Sequence, residues 1–211
     1  MRWPETDRDV RTVGNVVERS HATVARIFLP LRTGGAPVSW SEVAEAAGIE
    51  LTAESTWAEL DATGVPDALG LGSPYGMVDE TVIAELAPLL SSHAESDELY
   101  AVVWPMHADD KPPGIDFTRI LGSDGNTRWH DGRHELARID FANLDLFSQQ
   151  ANRHFPVALI PGDLGFVVGC AGYSDSLIIS GSDDLMHDLA ATDLVWLPTP
   201  RSAPLPVEYL P

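Results

Sequence analysis

Residues 165–189 read GFVVGCAGYSDSLIISGSDDLMHDL, and how this stretch folds decides the class of the whole chain. The apolar runs LGFVVGC (164–170) and SLIISG (176–181) are short and bounded by Gly, Ser and Asp, which reads as paired strands around AGYSD. Ser182 then caps a helix over SDDLMHDLA, and Asp183 and Asp184 favour the positive end of its dipole. Two strands run straight into a helix.

The same alternation of strand and helix signals extends outward. DLVWLP (193–198) reads as a last strand. Upstream, NLDLFSQQANRHF (143–155) suits a short helix with Leu144, Phe147 and Ala151 inward, and FTRIL, the tight turn SDGN and HELARIDF suit two strands. ELYAVVWP (98–105) is a buried strand. In DETVIAELAPLLSSH (79–93), Asp79 caps a helix whose inner face is Val82, Ile83, Leu86, Leu89 and Leu90, with Pro88 expected to kink or restart it. GVPDALGLGSPYG (64–76) reads as a loop, and it lacks the Gly-Lys-Ser/Thr ending or G-x-G-x-x-G spacing of a phosphate-binding one. In SWSEVAEAAG (39–48), Ser39 and Glu42 form a capping box and Gly48 ends the helix. ATVARIFL (22–29) alternates Val24, Arg26 and Phe28 against Ala25, Ile27 and Leu29 as a strand does, after a helix-compatible run at NVVER.

Together these elements imply an α+β fold with a mixed or mainly antiparallel sheet and three to five helices. They are expected in a single domain over residues 1–198, followed by a proline-rich tail at 199–211 that carries five prolines counting Pro198. A chain of 211 residues buries roughly 70% of its unfolded surface on folding. Its 44% hydrophobic content supports a true core. The polar start MRWPETDRDVR lacks the basic n-region and apolar h-region of a signal peptide, and no apolar run approaches the roughly 18 residues that span a bilayer. A cytoplasmic location is expected. Cys170 sits alone in an apolar run, as a buried, inert thiol would.

The net charge is −19, and it is unevenly placed. Residues 38–116 hold 16 acids against Lys111 alone, whereas residues 1–37 are net positive. Nucleic acid is expected to be no partner of such a surface, since phosphate binding needs Lys and Arg to displace counterions. The same test removes a helix-turn-helix reading of VAEAAGI followed by TAESTWAEL, because residues 38–64 contain six acids and no cation. A basic protein partner fits better. Acidity of this kind also suits an ordinary soluble surface written by a high-GC or salt-adapted genome, and alone it names no partner.

Chemistry-bearing motifs are sparse. His130 and His134 in WHDGRHE stand four apart, a chelating spacing only on a helix. Gly132 between them and the alternation of HELARIDF place them on extended chain, roughly 13 Å apart, so no shared metal is expected. His21, His93, His107, His154 and His187 are dispersed and fit no zinc spacing. No G-x-S-x-G elbow selects a nucleophilic serine, and acids are too many to select a catalytic pair. No catalytic residue and no cofactor are therefore assigned. Trp40, Trp104, His107, Asp109 and Asp110 remain as candidate binding residues, the tryptophans as core or as walls of a groove. Arg26 and Arg119 are the strand cations expected to pair with the acidic middle.

The segments ARIFLPL, PVSWSEVAEAAG, SPYGMVDETVIAELAPLLSSH, LYAVVWP and GFVVGCAGYSDSLIISGSDDLMHDL occur in an order that resembles a family of uncharacterised soluble actinobacterial proteins. The resemblance spans residues 23–198 and implies an order of elements, with no activity attached. Leu29 and Ala94 stand where that pattern has His and Thr, and Ala171, Tyr173 and Leu177 where it is often acidic or Thr. Two functions follow as expectations: an acidic, non-enzymatic interaction domain of immunity or inhibitor-like type, or a small-molecule-binding protein or enzyme with a pocket near Trp104 and His107.

Overall fold

A computed structural model describes residues 3–7, 12–32, 36–104, 111–119, 134–171 and 174–205. In chain order the elements are β1 (Thr23–Phe28), β2 (Leu31–Arg32), β3 (Pro37–Val38), α1 (Trp40–Ala47), α2 (Trp57–Asp61), α3 (Val65–Leu69) and α4 (Glu80–Ser92). There follow β4 (Leu99–Val103), β5 (Thr118–Arg119), β6 (Glu135–Ile139), β7 (Ala158–Pro161), β8 (Val167–Gly169), β9 (Ser176–Gly181), α5 (Asp183–Leu189) and β10 (Trp196–Pro198). Short 3-10 helices span Val13–Asn15 and Phe141–Phe147.

Eight strands form one sheet in the order β10-β1-β9-β8-β7-β4-β6-β5, and each neighbouring pair is antiparallel. β2 and β3 form a separate two-stranded ribbon. The fold is α+β. The 165–189 stretch provides its spine: β8 pairs β9, β9 pairs β1 over six residues from Thr23↔Gly181 to Phe28↔Ser176, and the Ser182 hydroxyl accepts from the Leu185 N–H to start α5.

Alternation along β1 sends residues to two differently covered faces. Ala25 and Ile27, with Leu29 just beyond, join Leu177 and Ile179 under α4, α5 and the Phe141–Phe147 helix. The inward residues of α4 are Val82, Ile83, Leu86, Leu89 and Leu90, the apolar face expected from periodicity. On the opposite face, Val24 and Ile178 pack with Val13, Val16 and Val17 from the N-terminal segment and Ala203 and Leu205 from the C-terminal one. Phe28, further along that face, packs with Trp40, Val43, Leu60 and Leu71 from the α1–α3 lobe.

The chain ends are stitched together across this second face. The Val13 N–H donates to the Ala203 carbonyl at 3.0 Å and the Gly14 N–H to the Arg201 carbonyl at 2.8 Å. Residues 199–205 are thus held against the sheet. Gly169 permits the close approach, since a Cβ there would meet the Val16 carbonyl oxygen at 2.7 Å.

Several local expectations give way to packing. NVVER does not become an α-helix: Val13–Asn15 make one 3-10 turn, and Val16 and Val17 bury against the sheet. GVPDALG contains α3, punctuated by Gly64 and Gly70, both left-handed, with Pro66 in the first turn, where its missing N–H costs nothing. The 141–147 helix is 3-10, with inward residues Leu144 and Phe147 three apart, and it ends before Ala151, which is half-buried. α4 runs through Pro88 to Ser92. β7, from FPVALIP, adds a strand that the sequence pattern did not single out. The SDGN turn, His130, His107, Asp109, Asp110 and residues 206–211 lie outside the described residues.

Candidate functional site: an acid-rimmed apolar groove

Where the end of β1 meets the segment leading into β10, the sheet corner is flanked by α1 on one face and α4 on the other. Between them lies a groove of about 280 Å³. Phe28, Pro30, Val38, Trp40, Leu194 and Val195 form its apolar walls, and its charged residues are Glu42, Glu85 and Asp193. No cation lines it. Volumes for drug-sized ligands run from roughly 300 to 1,000 Å³, so this groove suits a side chain or two better than a cofactor.

The walls are built rigidly. Trp40, at the first position of α1, is 1% exposed, and its indole Nε1–H donates to the Leu29 carbonyl at 2.8 Å. Its ring meets Phe28 at 5.0 Å between centroids, tilted by 47°, a favourable aromatic geometry. Ser39 caps α1 by accepting from the Glu42 N–H while the Glu42 carboxylate accepts from the Ser39 N–H. Those bonds hold the exposed Glu42 carboxyl below its ordinary pKa.

Beneath this wall, Arg26 forms a closed polar node. Its guanidinium lies 4.3 Å from the Phe28 ring centroid. It donates from Nε to Ser176 Oγ at 2.9 Å, from Nη1 to the Ala53 and Ser55 carbonyls at 2.9 and 2.6 Å, and from Nη2 to Asp175 Oδ1 at 2.7 Å. The other carboxylate oxygen of Asp175 accepts from the Trp57 N–H at the start of α2. Strands β1 and β9 are thereby tied to the α1–α3 lobe. Desolvation outweighs the attraction of Asp175 and holds the Arg26 pKa below its ordinary value. The pair therefore fixes position more than it adds stability.

Few acids of the acidic pole meet a cation among the described residues. Residues 38–104 carry thirteen acids and no Lys or Arg. Arg32 pairs with Asp79 and lies 3.7 Å from Glu80, and Arg138 lies 3.4 Å from Glu98. Glu42 and Glu59 serve capping boxes. Glu45, Glu50, Glu54, Asp61 and Asp67 are exposed and make no ion pair among the described residues. Two large apolar side chains on the same lobe, Ile49 and Leu69, are 37% and 51% exposed.

The structure separates the candidate binding residues. Trp40 lines the groove, whereas Trp104 follows β4, four strand spacings and thus roughly 19 Å from β1. Trp104 stacks on the buried His134 at 6.3 Å and 29°. The two tryptophans share no wall. His107, Asp109 and Asp110 lie outside the described residues, as does the side chain of Arg119. Arg26 takes its counter-charge from Asp175, not from the acidic middle, which offers it two carbonyls instead. Sequence reading missed Phe28, Glu85, Leu194 and Val195 as groove residues. Phe28 had a signal in sharing a strand face with Arg26; the others are brought together by contacts remote in sequence.

His21 lies between Ser180 Oγ and the Leu164 carbonyl, each at 2.8 Å, and burial pulls its pKa below the ordinary value. The Cys170 thiol is fully buried and pushed up to about 12. Among the described residues, no group of three or more His, Cys, Asp or Glu could hold a metal, and no helix is long and apolar enough to cross a membrane. No family model, no curated protein and no solved structure matches the chain.

Proposed function

We propose that this protein is an acidic interaction domain that docks a basic protein partner through its 38–116 region, in an immunity- or inhibitor-like role. The observation that carries the reading is the exposed acid set of the α1–α3 lobe, without an ion pair among the described residues, beside a groove whose described charged residues are all acidic. Folding gains nothing from such self-repulsion, whereas a basic surface gains long-range attraction and orientation from it. The fold order resembling an uncharacterised family adds no activity to weigh against this.

The test is capture of proteins from the native host on immobilised full chain at low salt. A parallel column carries the Glu45→Lys, Glu50→Lys, Asp61→Lys, Asp67→Lys variant, whose changes are all on exposed residues. The reading expects a basic protein retained by the first column, released by salt and absent from the second. Equal retention on both would refute it.

A second reading, a ligand pocket beside Trp104, draws on the Trp104–His134 stack. It expects a thermal shift with a metabolite or divalent ion, worth about 2.7 kcal/mol at a hundredfold excess over Kd. A flat metabolite and metal panel would remove it.

A further inference from the structure

We infer that the groove between α1, α4 and the 193–195 segment is an anchor pocket for one bulky apolar side chain of the partner, presented from a segment with Lys or Arg on both sides of it. This rests on the docking reading above and specifies its chemistry.

Three features select that occupant. The volume of about 280 Å³ takes a Leu, Phe or Trp side chain and lies at the low end for ligand pockets. Phe28, Val38, Trp40, Leu194 and Val195 offer no buried charge to an inserted group, so the inserted group must be apolar. At the rim stand Glu42, half-buried Glu85 and exposed Asp193, the last two without a side-chain partner among the described residues. Their charge attracts cations flanking the anchor and repels acidic or phosphorylated segments.

The pocket is also formed before anything binds. Trp40 is fixed by its bond to Leu29 and its contact with Phe28, and the α1 terminus by the Ser39–Glu42 box. A preorganised apolar slot inside a charged rim is the arrangement in which a single anchor residue dominates affinity.

The test uses ¹⁵N-labelled full chain and two nine-residue peptides of equal positive charge, one with Leu-Trp flanked by Lys and Arg, the other with Ser-Ser in the centre. The inference expects the Leu-Trp peptide to bind at least tenfold more tightly, with amide shifts at residues 38–42, 85 and 193–195. Glu85→Lys with Asp193→Lys should weaken it, and Leu194→Ala should shrink the difference between the peptides. Equal affinities with shifts spread over α1–α3 would overturn the anchor pocket and leave acidic docking standing. No binding of either peptide at low salt would overturn both. Hexylamine shifting the same resonances as tightly as the Leu-Trp peptide would also overturn it, assigning the groove to a small organic cation.

Discussion

Arg26 and Asp175 are 1% and 2% exposed at their side chains, so neither charge has water to fall back on. Removing one charge leaves the other buried and uncompensated, which costs about 3–5 kcal/mol. Asp175→Asn is expected to lose that much in chemical denaturation, with the denaturant slope unchanged; a loss under about 1 kcal/mol would show that the node is relaxed. His21 gives a pH prediction. Burial lowers its folded pKa, so the unfolded chain binds the proton more tightly between that value and the ordinary 6.5. Stability from this group is complete above 6.5 and is lost as pH falls through the depressed folded pKa. His21→Gln should flatten that part of the acid limb, and an unchanged limb would assign it to other groups. At this scale the sequence was legible by type alone. Arg26 was recognisable as a cation on an apolar strand, but its partner lies 149 positions away, joined through the β1–β9 register, where no local pattern reaches.

The elements whose signals are local were readable from the sequence, and those made by distant contacts were not. The Ser39–Glu42 box, the Asp79 cap and the apolar face of α4 all rest on neighbours three or four residues apart. β7, the docked 13–17 and 199–205 segments and the groove itself rest on pairings between remote segments. Ser39→Ala is expected to cost about 1 kcal/mol by freeing the α1 terminus. The same change should loosen the groove wall, readable as faster exchange of the Trp40 indole proton. Gly169→Ala should cost about 1–3 kcal/mol, because its methyl meets the Val16 backbone. Limited proteolysis should then cut the released N-terminal segment. If cleavage were unchanged, the close contact between Val16 and β8 would not be what seats that segment.

Across the whole molecule, opposite edges of one antiparallel sheet carry very different surroundings. The β1–β10 edge bears the acidic lobe and groove, and the β5–β6 edge bears the Lys111–Glu135 pair at 2.5 Å. Charge distribution was legible from the sequence, since of the thirteen acids over residues 38–104, a stretch without Lys or Arg, folding buries only Asp79. That two of them, Glu42 and Glu85, stand with Asp193 beside an apolar slot was not, because the slot is assembled from β1, α1, α4 and the approach to β10. The measurement that tests acidic docking most directly is the affinity of the captured basic partner as salt rises from 0.1 M to 1 M. Screening shortens from about 10 Å to about 3 Å over that range. Docking through the exposed lobe requires affinity to fall at least tenfold, with the wild-type advantage over the four-lysine variant shrinking in step. Affinity that stayed flat, or a variant that bound as well as wild type throughout, would contradict it.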